Sequence, residues 1–521
     1  MQTSHPPDQR NIHSVRAVFH RKSLESIRRD AEAPQAGRLR RSLGTVDLLA
    51  LGVGAVIGTG IFAVIGTAAA GGGGHPGAGP AVSLSFVITA TACAFCALCY
   101  AEFASLVPIS GSAYTYSYAT LGELAAWIIG WDLIIEYAVG NVAVAIAWAA
   151  YLHQFLEGLG VHLPAWLAVD YRSALQAGDL AATGAPVPPS ATLALEAFRT
   201  HPVVAGIPVV FNFVAVLIVG AVTWLLVIGV RESARANNFM VLLKVGILVF
   251  FIVVGAWYVK PENWSPFMPN GFAGVWTGAS LVFFAFIGFD AISTAAEECR
   301  NPGRDMPRGI IGSLALCTVL YVATAAVLTG MAPWQRLGVA DPLADVFARA
   351  GLDWAAGVIS FGAVVSMTAV LLVFQLGQPR IFFSMSRDGL LPSCFARVHP
   401  RYHTPHVTTI WTGVVVAALA GVANISEIVE LTNIGTLFAF ALVSAGVIIL
   451  RRTDPGAPRV FRTPLVPWVP LAGIAMCVYL MFGLPGVTWI RFGLWLAAGL
   501  VVYAAYGYRH SRLRREGRVP S

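Results

Sequence analysis

The sequence predicts an all-α polytopic membrane protein of about twelve transmembrane helices, and three observations carry that expectation. Of 521 residues, 57% are apolar and 12% charged, whereas about 25% charge is usual in a soluble globular chain. The mean hydropathy is +0.70. A bilayer core takes about 20 apolar residues per helix, and such runs are expected over roughly 44–70, 81–107, 122–156, 204–229, 238–259, 273–297, 309–331, 354–385, 406–423, 427–450, 467–485 and 489–508. Third, 27 of the 34 Lys and Arg residues fall at the termini and in alternate connections. Six fall in the other connections (Arg172, Arg199, Lys260, Arg336, Arg349, Arg491), and Lys244 lies inside a span. The positive-inside bias then puts both termini in the cytoplasm of a multi-pass cell-membrane protein. The net charge of +7 accordingly reports orientation and anionic headgroups rather than nucleic acid.

Residues 1–43 are polar and basic (RKSLESIRRD, GRLRRS) and lack the short apolar core and cleavage site of a signal peptide, so they are expected to stay on the protein. The first span carries GVGAVIGTGIF, residues 52–62. Each glycine costs a helix interior about 1 kcal/mol against alanine. A phosphate-cradling turn is one reason to accept that cost, but the G-x-G-x-x-x-G spacing misses the dinucleotide fingerprint and no βαβ pattern surrounds it. A helix broken at Gly58-Thr59-Gly60 is the better reading. GGGGHPGAGP (71–80) then reads as a flexible loop.

The second span holds CAFCALC; Cys93, Cys96 and Cys99 at successive threes drift around a helix and are expected to be small buried residues, not metal ligands. No disulfide framework, metal site or cofactor is expected from the seven cysteines. Glu102 lies near a membrane face in CYAEF. In the third span Asp132 and Glu136 are spaced i, i+4 and share a face. Segment 157–203, with APVPPS at its centre, reads as a long outer loop without assigned chemistry.

An ionisable group at the bilayer centre costs at least about 2.5–3.5 kcal/mol, so each is a functional candidate. Lys244 lies about six residues into the fifth span, or about 9 Å from its start; it can snorkel to the headgroups or sit in a dry interior and exchange protons. Asp290 follows Gly288 in FFAFIGFDAIST, where a second break is expected at 286–289; the carboxylate could cap the restarted helix or line a cavity. The two breaks fall in the first and sixth spans, five apart, which is where equivalent helices of two inverted five-helix repeats stand. Broken helices are tolerated in a bilayer only where a cavity supplies partners. Their free N–H groups suit a carboxylate and their free carbonyls an ammonium, so a zwitterionic amino acid satisfies both. The expected organisation is residues 44–259 and 272–450 as the two repeats, 467–508 as two further helices and 509–521 as a basic tail.

GVGAVIGTGIF, YAEFASLVPISGSAYTYSYATLGELAAWIIGWDLIIEY, GVRESARANNFMVLLK, FFAFIGFDAISTAAEECRNPGRDMPRGI and RDGLLPSCFARVHPRYHTP occur in that order. Over nearly all of residues 38–508 the chain resembles the amino acid–polyamine–organocation superfamily, and within it the cationic amino acid transporter family. The resemblance implies the LeuT-like fold of five plus five inverted-repeat helices with two more at the C-terminus, and proton-coupled uptake of L-amino acids. By position, the substrate carboxylate would meet the backbone of Thr59 and Gly60, and its amino group the carbonyls of Val56, Phe284, Ala285 and Ile287. Lys244 matches a family lysine that stands where related transporters bind sodium, tying the first span to the eighth. Glu136 and Asp290 match acidic positions toward the outer side of the pocket. EECRNPGRDMPRGI and RDGLLP look like inner-gate segments. In VFQLGQPR, Phe374 stands where the arginine transporters of the family share a small polar residue, so small or medium neutral amino acids are expected rather than cationic ones. A membrane-embedded enzyme would need a nucleophile–base pair or a metal cluster, and no histidine lies deep in a span with a partner. A non-transporting amino-acid sensor on the same fold is the remaining alternative, and a small accessory subunit is neither required nor excluded by the residues.

Overall fold

The computed structural model describes residues 43–72, 75–106, 112–184, 191–204, 207–229, 234–402 and 404–516. The basic N-terminal segment, part of GVRESARANNFMVLLK and the APVPPS centre of the outer loop lie outside the described residues. Among those described, eight helices are long and apolar enough to cross a membrane: Gly79–Leu106, Glu123–Gly158, Asn238–Ala256, Gly271–Ser293, Pro302–Met331, Asp353–Arg387, Ile425–Thr453 and Gly486–His510. Thr45–Val56 and Gly60–Ala70 form a ninth as a pair bent by 43°. Three shorter apolar helices, Phe213–Ile228, His406–Val422 and Trp468–Met481, fall on the remaining expected spans. Among the described residues, strands are confined to two two-residue antiparallel ladders, Gly71–Gly72 with His75–Pro76 and Val203–Val204 with Ile207–Pro208. The architecture is therefore all-α and polytopic.

One hydrophobic core runs through the helices, with Phe62, Tyr100, Trp127, Tyr151 and Tyr321 among its fully buried side chains. Its helices are apolar nearly all round, as buried or lipid-facing helices are. Both ends of the described chain sit at the same end of the bundle. Leu43 bridges to Cys299, and its N–H donates to the Glu298 carbonyl at 3.0 Å. The tail folds onto Glu123, whose carboxylate accepts from the Tyr503 hydroxyl at 2.8 Å and from Ser511, and the Arg512 N–H donates to the Asp388 carbonyl at 3.1 Å. The two expected gate segments are thus clasped at this end. Thr45 donates to Asp305 at 2.7 Å and Tyr114 to Asp388 at 2.8 Å.

Three connections differ from the sequence reading. The fourth span begins at Phe213, not 204, because Asn212 caps it by accepting from the Ala215 N–H at 3.0 Å. The outer loop contains two helices, Tyr171–Ala182 and Thr192–Thr200. Their alanine-rich faces build a separate small core around Val169, Ala174, Ala177, Ala194 and Ala197. The loop at 71–80 is not loose in its described part: residues 77–81 are buried, the Ala78 N–H donates to Ala68 at 2.9 Å, and His75 lies 2.9 Å from Glu430. All three cysteines of CAFCALC are buried, as expected.

Candidate functional site

The first span breaks where the glycines are. Its helix ends at Val56, Ile57 turns extended (ψ 103°), and a wider π turn resumes at Gly60. The sixth span ends at Val282, continues as a 3₁₀ turn over Phe283–Phe286, turns extended at Ile287, and restarts after Gly288. Gly288 has φ +115°, a conformation that favours glycine. The two breaks press together. A Cβ at Gly60 would lie 2.2 Å from Ala285 Cα, so only a hydrogen fits there.

Around these breaks the expected residues gather. Val56, Thr59, Gly60, Phe284, Ala285 and Ile287 are all buried. The Thr59 hydroxyl is buried with no partner among the described residues. The Val56 carbonyl accepts from the Tyr321 hydroxyl at 2.9 Å, which leaves one of its two lone-pair directions. Freed carbonyls elsewhere have side-chain donors: Tyr151 to Phe62 at 2.5 Å, and Asn433 to Ser280 and Leu281 at 2.7 and 3.0 Å. Tyr321, Tyr151 and Asn433 were not picked out by the sequence reading, although a tyrosine or asparagine in mid-span is a polar group that must find a partner.

Lys244 is fully buried, so it does not snorkel. Its Nζ donates to Gly54 at 2.5 Å and Ile57 at 3.2 Å, at the end of the first half-helix. The Ser366 hydroxyl of the eighth span donates to the same Ile57 carbonyl at 3.2 Å. An ammonium beside the carboxyl end of a half-helix is the electrostatically favoured arrangement, and the shared carbonyl ties the fifth, first and eighth spans at one point.

The acidic residues lie on the third span and just past the break of the sixth. The third span widens into a π turn over Ile135–Val139, which carries Glu136 and Tyr137. The carboxyls of Glu136 and Asp290 face one another, and Tyr137 donates to Asp290 Oδ2 at 3.4 Å. Asp290 stands in the first turn of the restarted helix, and its Oδ1 has no hydrogen-bond partner among the described residues. Asp132, one turn before Glu136, is buried against Gly435 with both oxygens unpartnered. Glu102 instead belongs to the end of the bundle that carries the termini, where Arg451 grips both its oxygens at 2.8 Å. Phe374 is buried beside the acidic pair, its ring edge-on to Tyr137 with centroids 5.6 Å apart. No group of three or more metal-ligating side chains occurs among the described residues.

A pair of broken, glycine-hinged helices is thus pressed together deep in an apolar bundle. Residues 43–506 match the amino acid permease family. The chain is 47% identical to the branched-chain amino acid permease BcaP of Bacillus subtilis (strain 168), over 96% of this chain and 99% of the relative. It is 46% identical to the methylthioribose transporter of the same organism, over 96% of this chain and all of the relative. It is 35% identical to cationic amino acid transporter 4, vacuolar, of Arabidopsis thaliana, over 85% of this chain and 69% of the relative. These relatives are transporters, not enzymes, and the chain belongs to the amino acid permease family, as a permease of the cationic amino acid transporter type within the amino acid–polyamine–organocation superfamily.

Proposed function

We propose that this permease is a secondary active transporter that takes small or medium neutral L-amino acids into the cell with protons, by alternating access in the cell membrane, with both termini in the cytoplasm. The substrate carboxylate is bound by the N–H groups of Thr59 and Gly60 and its ammonium by carbonyls of Val56, Phe284, Ala285 and Ile287. Lys244 carries or gates the proton, and Glu136 and Asp290 line the pocket. Two inverted repeats, 44–259 and 272–450, supply the rocking parts. The observation that carries the substrate class is the Phe374–Tyr137 pair. The Phe374 ring offers a guanidinium a face to stack on but no hydrogen-bond acceptor, and leaving its N–H groups without acceptors costs several kcal/mol, more than the roughly 1–3 kcal/mol a better apolar fit returns. A 47% identical relative named for branched-chain amino acids supports the same class.

The test is uptake of labelled alanine into proteoliposomes under an acid-outside gradient, with competitors. Leucine, valine and alanine are expected to compete, arginine and lysine to fail, and Phe374→Ser to let arginine gain. Methylthioribose belongs in the panel because a 46% identical relative is named for it. Strong arginine competition in the wild type, unchanged in Phe374→Ser, would restore a cationic substrate. Binding without uptake would make the protein a sensor.

A further inference from the structure

Beyond the breaks, the outer halves of the first and sixth spans are built as one piece. The turn that follows Ile65–Ala70 folds back on that helix, the Ala78 N–H donating to Ala68 at 2.9 Å, and is bonded to the start of the sixth span. Asn270 donates to the Gly77 carbonyl at 2.8 Å and Thr277 to the Pro76 carbonyl at 3.0 Å, and the Ala81 N–H donates to Phe267 at 3.0 Å. The approach is close, since a Cβ on Gly274 would lie 2.5 Å from the Gly77 oxygen. A piece joined at its outer end and interrupted at 58–60 and 287–288 can swing about the breaks as a unit.

A pair of buried side chains ties that piece to the rest of the bundle. His75 Nε2, in the turn, lies 2.9 Å from Glu430 Oε1 of the tenth span, and the other Glu430 oxygen accepts from the Thr488 hydroxyl of the twelfth at 2.6 Å. The side chains of His75 and Glu430 are 8% and 10% exposed, so water screens their bond less than it screens a surface pair. Val429, next to Glu430, lines a cavity of about 430 Å³ above the breaks together with Ala63 and Leu281 of the outer halves. The opposite end of the bundle is clasped. Surrounding charges are engaged elsewhere. Glu427, one turn away, is held by Arg172 of the outer helical pair at 2.9 Å and by Arg491 at 3.4 Å. Asp132 meets the tenth span at Gly435, more than a turn farther in, and Glu102 lies at the inner end. Gly271–Val282, Ile65–Ala70 and Trp468–Met481 carry no charged side chain, and Tyr479 stacks on Trp276.

Imidazole is the side chain that changes its charge between pH 5 and pH 8. As imidazolium it makes a charge-assisted bond to a carboxylate, about twice as strong as that of the neutral ring. A proton on His75 therefore favours the bonded arrangement, which weakens as the pH rises. We propose that His75 and Glu430 form a latch set by the external pH, which in acid holds the hinged outer halves to the tenth and twelfth spans with the outer cavity open, and releases them as the pH rises. This rests on the alternating-access reading above. The latch controls how often the outer side opens, apart from any proton carried with the substrate.

The test uses the full-length protein in proteoliposomes at equal pH on both sides, so that no gradient drives uptake. The reporter is Ala150→Cys, half-buried in the cavity wall, with Cys394→Ser removing the native cysteine that is not buried. Its rate of modification by an impermeant thiol reagent is divided by the rate in the same protein carrying His75→Gln, which keeps a neutral donor. The ratio cancels thiol ionisation and the titration of Asp170. It should be about fivefold higher at pH 5 than at pH 8, and Glu430→Gln should remove that difference. An unchanged ratio, or a Glu430→Gln protein with the wild-type response, overturns the latch. His75→Lys, charged at both pH values, serves should His75→Gln fail to fold: the wild-type rate relative to His75→Lys should fall from pH 5 to pH 8, and a constant value overturns the latch. L-Leucine added outside separates the two readings. If it changes the reporter's rate while the ratio stays flat, the latch alone fails; if neither leucine nor pH changes the rate, alternating access fails with it.

Discussion

Two clusters of buried carboxylates lie in the same bundle and are treated in opposite ways. At the end that carries the termini, Glu102 accepts from two Arg451 nitrogens and from the Thr463 N–H, each at 2.8 Å, and is ion-paired with Arg459 at 3.1 Å. Beside the breaks, Asp132 has no donor on either oxygen and Asp290 none on Oδ1. Leaving buried carboxylate oxygens without donors costs free energy, and a fold optimised for stability alone would not retain such oxygens on both the third and the sixth spans. The Glu102 cluster therefore fastens helices together, and the unsatisfied cluster is where transport chemistry is to be sought.

The largest effect should come from breaking the satisfied cluster. Glu102→Gln leaves Arg459, with a side chain only 2% exposed, facing a neutral amide. Removing one partner of a buried pair costs about 3–5 kcal/mol. The protein should lose folded yield and melt at clearly lower temperature in detergent, as followed by size-exclusion chromatography after heating. An unchanged melting point would mean that this cluster is as dispensable to stability as the other.

Next comes Lys244→Met, which removes the ammonium from Gly54 and Ile57 while Ser366 still donates to Ile57. Lost hydrogen bonds of this kind cost about 1–3 kcal/mol, so the variant should fold. Uptake should fall about tenfold or more and lose its dependence on the pH gradient, while leucine binding, measured on the purified variant, survives. Gradient-driven uptake at the wild-type rate would make the lysine a structural pin, on the same side of the comparison as Glu102.

Asp132→Asn probes the unsatisfied cluster directly and should show the reverse of Glu102→Gln. With no donor given up, the melting point is expected to hold or rise slightly, and uptake to drop, the pattern of a residue kept for function at the expense of stability. A melting point as low as that of Glu102→Gln would erase the distinction between the clusters.

Much of this contrast was legible in the sequence. The composition and apolar runs give the all-α membrane class, and glycines at 58, 60 and 288 inside apolar runs mark both breaks, because a glycine there must answer to backbone need. Lys244, Glu136 and Asp290 stand out because charge in a span is costly. What the residues could not tell is who meets whom. Tyr321 reaches the Val56 carbonyl across 265 positions of chain and Arg451 reaches Glu102 across 349, and no local spacing encodes such contacts. The outer helices carry an amphipathic pattern, but the proline-rich stretch APVPPS between them reads as loop and draws the whole segment into that reading.

Asp170 offers the smallest and most local test, since it is a third kind of buried carboxylate, satisfied by a helix cap but outside the spans. Burial pushes its pKa up from the ordinary 3.8 to about 6, with the Ser173 N–H and hydroxyl pulling the other way and Glu427 adding slightly to the rise. Between about pH 4 and pH 6 the docked outer helical pair therefore binds more protons than the undocked one. Since stability rises with pH only where the unfolded form binds more protons, the sign here is negative: docking is strongest at low pH, weakens as pH rises through this window, and stays weaker above it. Between pH 5 and pH 7 the difference is about 1 kcal/mol. Arg172 and Glu427 face the same junction, paired at 2.9 Å. Amide exchange of residues 174–180, corrected for the intrinsic pH dependence of exchange, should be slower at pH 5 than at pH 7, and Asp170→Asn should flatten the difference. Slower exchange at pH 7 would show that the ionised cap, not the buried proton, holds the helical pair, and would group Asp170 with Glu102 as a carboxylate kept charged for structure.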